Sequence, residues 1–357
     1  MKEKHNNDDP EFNYAMFQKV IERVKTKGGK KYEFVLKAGQ SLFNALFRLF
    51  EVVWNGEKIP ESWRETTIIQ IWKGKGPRED LENIRHIHTK NSEIPKLFGN
   101  LITNLIKPTI EENISPFQIG AMSGHRSEEH LFTLKSVLAL VEKNKEATSI
   151  QLLDLVKYFD SESLADALNE LHREKVRGEL YRIVYEMKRK TRIKVRTSVG
   201  DSEERVTNEN ITQGSAEGGV LSSSNLGKGV EDFFSSSETE TYYGLLKLLP
   251  QSYQDDLMRL SKDPVSAQYG FDRFETIAET KLLLYNSSKT VMVFMGAEKA
   301  RKELVKELEE NPPMLYNKPV KIERQWSYLG EELGLNLAES ILMTINKRIG
   351  LGKKSFF

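Results

Sequence analysis

Residues 252–260 read Ser-Tyr-Gln-Asp-Asp-Leu-Met-Arg-Leu, and the adjacent acids Asp255 and Asp256 decide how the chain is understood. Their neighbours are apolar or β-favouring, a setting in which two carboxylates side by side are unfavourable unless a cation or a turn compensates them. A tight hairpin with the acids at its tip meets that requirement. An Asp-Asp pair alone is most often an ordinary solvated turn, so the reading depends on a further acid. Asp154 ends the apolar run Ile150-Gln151-Leu152-Leu153, where a buried strand emerges from the core. Carboxylates from distant parts of a chain, gathered at one sheet edge, are what two-metal chemistry needs: two divalent ions about 4 Å apart clamp the attacking and leaving oxygens.

Working outward, the periodicities interleave strands and helices. The first fifty-odd residues read as a charged leader, then a helix with apolar positions Leu42, Leu46, Leu49 and Val52. Residues 59–71 end in a β-branched strand, and WKGKGPRED makes a Gly, Pro and Lys turn. Ile94 to Ile106 fits a helix that Pro108 should end or kink, and Ser127 to Lys143 fits another. Amphipathic helices follow the Asp154 strand, one through Leu164, Leu168 and Leu171, the next through Leu180, Ile183 and Met187. In TRIKVRTSVGD, Ile193 and Val195 alternate with Arg192, Lys194 and Arg196, and Gly200-Asp201 signals a hairpin, so one strand face is expected to be a basic stripe. With Lys188, Arg189 and Lys190 this is the densest basic cluster, open to phosphate binding or to a merely solvated face. Gln213 to Asn225 is rich in Gly and Ser and precedes a helical pattern. Runs around Leu245–Leu260, Lys281–Tyr285 and Thr290–Met295 look like strands, the helix AEKARKELVKELEE comes next, and the tail is basic. Without an internal repeat or long linker, the expectation is one α+β body.

Composition narrows the chemistry. Zero cysteines exclude disulfides, zinc fingers and thiol nucleophiles, and six scattered histidines offer no imidazole metal site, so any metal must sit on carboxylates. No stretch approaches 18 uninterrupted apolar residues and the start is charged throughout, which predicts an intracellular protein, nuclear or cytoplasmic, without a membrane span. Lys and Arg number 53 against 52 Asp and Glu, a formal charge of +1, so nucleic-acid binding would require charges segregated onto different faces.

The succession LLDLVKYFDS, ITQGSAEGGVLSSSN, SYQDDL, SSKTVMVFMG and WSYLGEEL resembles the core of the reverse transcriptases of non-LTR retrotransposons. Upstream, IPESWRETTIIQIWKGKG and LENIRHI resemble that family's fingers segments, and Gln118 to Leu131 resembles its Q-x-GF-R-x-x-RST-x-x-x-L stretch. The resemblance covers about residues 58–332. It implies an α+β, right-hand polymerase fold: fingers and palm over residues 58–335, an antiparallel palm sheet packed on helices, a helical extension over 1–57, and a tail or truncated thumb over 336–357. It implies RNA-directed DNA polymerase activity, with an RNA template, a DNA primer, dNTP and Mg²⁺, Mn²⁺ being the other candidate. The alternative is a derived, inactive relative that at most binds nucleic acid.

By the same resemblance, Asp154 and Asp255 ligate both ions and Asp256 completes the cluster. Phe159 would crowd a ribose 2′-hydroxyl, or else be a core residue. Asp160 is read as a helix cap. Lys73 and Arg85 would meet the triphosphate, Gln213-Gly214 would pack on the incoming nucleotide, and Lys289 would donate a proton to pyrophosphate or be a solvated lysine. Arg192, Lys194 and Arg196 would bind the nucleic-acid backbone, and Tyr328 would lie in the primer-grip strand or in plain core. The departures are Gln254 inside the Tyr-x-Asp-Asp motif, His86 where proline is usual, and Glu217, Gly219 and Ser222 after the Gln-Gly pair.

Overall fold

The computed structural model describes residues 12–27, 32, 33, 37, 39–207, 211, 213–234, 241–243 and 246–355. They fall into two compact units: Met1–Ile114 with Phe159–Asn225, and Ser115–Tyr158 with Leu226–Phe357.

The first unit holds a five-stranded sheet in which Glu65–Trp72 runs antiparallel to Ile84–Lys90 and parallel to Thr191–Thr197. Gly200–Asp201 and Arg205–Thr207 both pair with Thr191–Thr197. The β-branched run from Thr66 to Ile68 is buried, whereas Ile69 and Ile71 are exposed. Ile193 and Val195 are half-buried rather than core, although they pair with the buried Thr66 and Ile68.

Helices supply the rest of that core. The expected helix forms over Gly39–Trp54, yet it buries Phe43, Leu46, Phe50, Val53 and Trp54 and leaves Leu49 and Val52 exposed. The helix carries two apolar stripes, and the one with the larger rings turns inward, Phe50 packing against Phe17, Trp63 and Phe98. Phe17, Val20, Ile21 and Val24 are buried on a helix over Tyr14–Lys27, where a charged leader was expected. Helix Glu93–Asn113 does not end at Pro108 but continues past it, with buried Ile106 and Ile110 on either side of the missing donor. Ser163, not Asp160, caps the next long helix, its Oγ accepting the Asp166 N–H.

The second unit is built on the sheet Lys321–Glu323, Val291–Gly296, Ala147–Leu153, Asp256–Ser261, Gln251–Tyr253, in that spatial order. Four of these strands are antiparallel, as expected for a palm, and Lys321–Glu323 adds a parallel edge. One face packs on helix Ser127–Lys143 through Leu134, Leu138, Val141, Ile150, Met258 and Val293. Helix Pro264–Thr280 was not legible as such in the apolar pattern, although Asp263 caps it and Pro264 opens it. It lies over Arg259, whose buried guanidinium bonds Gln151 and Ser266, and Gly270 leaves room for that pair. Lys281–Tyr285 is not a strand: Leu282 and Leu284 face solvent and only Tyr285 makes a bridge, to Leu155. The tail forms a helix over Leu337–Ser355. No described helix is long and apolar enough to cross a membrane.

His130, buried in helix Ser127–Lys143, gives the unit a pH dependence. Burial lowers its imidazole from 6.5 to about 4. Between those values the unfolded chain binds the proton and the folded one does not, so stability is full above pH 6.5 and falls as pH drops toward 4, by up to about 3 kcal/mol. Replacing His130 with Leu should flatten the acid side of a plot of thermal midpoint against pH. An unchanged slope would assign the acid sensitivity to other groups.

Candidate active site

Strand register alone lines up the acidic residues of the second unit. Leu153 pairs with Leu257 and Leu152 with Val291 in antiparallel ladders, so one step further along Asp154 falls opposite Asp256, and two steps further along Lys289 falls opposite Asp154. Asp256 begins its strand, Asp154 lies just past the end of the next and Lys289 lies in the turn before Val291, so the three residues meet at one rim. The Lys289 ammonium lies 3.2 Å from Asp154 Oδ2. Asp154 is fixed from below by its own carbonyl, which accepts the Asn286 N–H at 2.8 Å.

The expected hairpin is present. Tyr253 pairs with Asp256, leaving Gln254 and Asp255 as a two-residue tip, with Gln254 at φ 57°. Asp256 is open to water on one side but partly desolvated on the others; that desolvation, then the charges of Asp255 and Asp154, raise its carboxyl to about 6. Like charges thus crowd one rim of the sheet. Among the described residues, no three His, Cys, Asp or Glu side chains stand close enough together to form a ready-made ion cage. The donor set still fits a hard divalent cation, being all oxygen and short of positive charge.

The remaining second-unit candidate, Tyr328, is a correction. It is 4% exposed, sits in the core cluster with Ile150 and Val293, and its hydroxyl has no hydrogen-bond partner among the described residues. Burial, then the charge of Asp256, push the phenol up. A side chain so enclosed does not grip a nucleic acid; its place is in the packing beneath the acidic rim.

In the first unit, Lys73, Arg85, Gln213 and Gly214 all gather on the strand Ile84–Lys90. Arg85 pairs with Ile71, and Lys73 donates its N–H to Asn83, so the two cations are diagonal neighbours at one end of the ribbon. Arg85 is exposed, while Lys73 Nζ donates to the Glu82 carbonyl at 2.7 Å. The Gln213 carbonyl accepts the His88 N–H at 2.8 Å, and Gly214 (φ 98°) lies so near the strand that a Cβ would stand 2.9 Å from the His88 oxygen. Only glycine suits both conditions. Phe159 is half-buried in the single turn Tyr158–Ser161.

The basic cluster is largely neutralised, which corrects the reading of an open cationic stripe. Arg192 lies 3.2 Å from Glu65, Lys194 3.8 Å from Glu204, and Arg196 3.1 Å from Asp201. Arg189 pairs with Glu186 at 2.6 Å. Strand pairing brings acids beside the cations, which is how a chain of nearly zero net charge accommodates a basic run. Lys188 is buried, 2.8 Å from the equally buried Glu217 and 2.9 Å from Ser215 Oγ. The Glu217 substitution seen in the sequence thus has a partner that periodicity did not reveal. Breaking such a pair from one side leaves an uncompensated buried charge, at about 3 kcal/mol or more. Glu217→Leu should lower the urea midpoint sharply, and Lys188→Met/Glu217→Leu should regain most of it. Equal losses in single and double variants would mean that packing, not charge, is at stake.

The model of the reverse transcriptase (RNA-dependent DNA polymerase) family matches residues 75–333. The chain belongs to that family. No curated protein matches it in sequence. Solved structures similar to it are two forms of apo telomerase from Candida tropicalis, one of them truncated from the C-terminal domain, and telomerase from Candida albicans in complex with a TWJ fragment of telomeric RNA. The truncated C. tropicalis structure gives a TM-score of 0.52 at 10% identity, covering 83% of this chain and 59% of that one. The other C. tropicalis structure gives 0.52 and 10%, covering 83% and 52%. The C. albicans structure gives 0.51 and 9%, covering 83% and 49%. These likenesses are of fold, and the chain spans about half the length of the telomerase chains. The fold is that of a reverse transcriptase's fingers and palm, with mixed α and β structure and sheets packed on helices.

Proposed function

We propose that this chain is an RNA-directed DNA polymerase of the kind carried by non-LTR retrotransposons, extending a DNA primer on an RNA template with dNTP. The observation that carries the reading is the register row of Asp154 and Asp256, with Asp255 at the adjoining tip and Lys289 alongside. Residues 58–335 would be the fingers and palm, 1–57 a helical extension and 336–357 a tail or the start of a truncated thumb.

In this reading Asp154 and Asp255 hold two divalent ions and Asp256 completes the cluster, Mg²⁺ and Mn²⁺ both suiting oxygen ligands. Such ions, when bound, neutralise the triphosphate and activate the primer 3′-hydroxyl. The chain's own residues do the rest. Lys289 leaves Asp154 to give its proton to the departing pyrophosphate oxygen. Lys73 and Arg85 bind phosphate oxygens, the Gly214 backbone admits the nucleotide, and Phe159 crowds a 2′-hydroxyl and so favours deoxynucleotides. Arg192, Lys194 and Arg196 would meet a nucleic-acid backbone by exchanging their carboxylates for phosphates, which is feasible because exposed ion pairs are weak.

The test is single-nucleotide extension of a DNA primer on RNA and on DNA templates, with dNTP or rNTP, in Mg²⁺ and in Mn²⁺. Incorporation of dNTP on RNA, lost in Asp255→Asn, supports the reading. No extension by folded protein under any condition overturns it, and extension only with rNTP overturns the assignment of a DNA product.

A further inference from the structure

The segment from Phe117 to Gly120, which opens the Gln118–Leu131 stretch, lies against the acidic hairpin. Ser252 donates its N–H to the Phe117 carbonyl at 2.8 Å, and Ile119 donates to the Ser252 carbonyl at 3.2 Å. The side chain between them, Gln118, is 1% exposed. Its Oε1 accepts the N–H of Gly120 at 3.0 Å and the N–H of Gln254 at 3.0 Å, and its Nε2 donates to the Gln254 carbonyl at 3.1 Å. Both backbone groups of the first tip residue are thus held by one buried amide. Gly120 makes the approach possible: a Cβ there would stand 2.2 Å from the Gln254 nitrogen.

Two-residue hairpin tips favour Gly, Asn or Asp where φ is positive. This tip places glutamine there, at φ 57°, a conformation an ordinary L residue adopts rarely. Nothing in the local sequence holds it. The two hydrogen bonds from Gln118 replace what a turn-forming residue would supply, and Asp255 and Asp256 follow directly in the chain.

We propose that Gln118, with room made by Gly120, is a positioning residue that holds Gln254 left-handed and thereby aims Asp255 and Asp256 at the place where Asp154 stands. This rests on the reading of the three acids as a divalent-metal site. Gln118 acts through the hairpin and touches neither substrate nor ion.

Three measurements test it. Amide hydrogen exchange on the wild-type protein comes first, because a two-residue tip facing solvent ordinarily exchanges fast. Core-like protection at Gln254 is expected, and fast exchange there overturns the clamp without any variant. Second, Mn²⁺ titration followed by electron paramagnetic resonance compares wild type, Gln118→Met and Gln118→Met/Gln254→Gly. Loss of a residue that orients metal ligands lowers affinity by about tenfold or more, and glycine, which takes positive φ without strain, should restore most of it. Leu304→Ala, on the helix Glu298–Glu310 and remote from the hairpin in sequence, is the control for general destabilisation of the second unit and should lower Mn²⁺ affinity far less than Gln118→Met. Third, in primer extension Gln118→Met should lower kcat with KM for dNTP nearly constant, again relieved by Gln254→Gly.

A folded Gln118→Met with wild-type Mn²⁺ affinity and kcat overturns the proposal. So does a loss that Gln254→Gly fails to relieve, or one that Leu304→Ala reproduces. Wild-type protein that neither binds Mn²⁺ nor extends a primer overturns the polymerase reading and the metal part of this one, while the clamp itself is still judged by exchange at Gln254.

Discussion

Asp256→Asn is expected to reduce metal-dependent primer extension by about a thousandfold or more, roughly 4 kcal/mol of transition-state stabilisation, and at the same time to raise the melting temperature of metal-free protein. The two effects share one cause. Asp256 is raised to about 6 by desolvation and by the charges of Asp255 and Asp154, so the folded chain without a cation holds like charges together. Asparagine keeps the size of the side chain and removes that repulsion, and with it the charge on which a cation would depend. Asp154→Asn should abolish extension equally but without the thermal gain, because Asp154 already has a cation, Lys289, at 3.2 Å. Scanning fluorimetry in chelator, paired with single-nucleotide extension, reads both effects. A lower midpoint for Asp256→Asn would mean that its carboxylate is held by favourable contacts and that charge crowding is not what the rim stores.

The second large effect is structural. Gly296→Ala is expected to cost about 3 kcal/mol or more in urea unfolding, combining backbone strain with overpacking. Gly296 ends the strand Val291–Gly296 at φ 127°, opposite Ala147, and a Cβ would stand 2.4 Å from the Glu146 carbonyl oxygen and 2.8 Å from Ala147 Cα. Neither obstacle is a flexible side-chain end. Ala147 opens the strand whose other end leads to Asp154, so distortion here should reach the acidic rim. Gly350→Ala, in helix Leu337–Ser355 with nothing within 4 Å of the added carbon, is the counterpart and should stabilise by roughly 0.5–1 kcal/mol. A loss below about 1 kcal/mol for Gly296→Ala would show that the strand end has another way to turn.

Several elements were legible because their cause is local. The apolar run before Asp154, the helix Ser127–Lys143 and the hairpin at Asp255-Asp256 each follow from neighbours within a few residues, and each forms where expected. Pro108 and the run Lys281–Tyr285 misled for a related reason. Local preference argued for an end or kink and for a strand, but the helix continues past the proline with Ile110 buried, and among the described residues no strand pairs with Leu282 or Leu284. The helix Gly39–Trp54 was found without its buried face: spacing identifies a helix without ranking its two apolar stripes, and that ranking depends on Phe17, Trp63 and Phe98.

Ordered motifs placed the acids, the Gln-Gly pair and Lys289 in the polymerase frame, because the residue types that serve this chemistry occur at characteristic intervals along the chain. What intervals do not encode is who meets whom across the sheet. Register set Lys289 beside Asp154 and Asp154 beside Asp256; pairing with Glu65, Glu204 and Asp201 turned a basic run into a balanced surface; burial took Tyr328 out of reach. The amide of Gln118 on Gln254, 136 residues away in sequence, belongs to the same class. A charge or amide takes its meaning from the groups within a few ångströms of it, and here those groups come from remote parts of the chain, so residue order reveals the family and its acids, whereas folding chooses their partners.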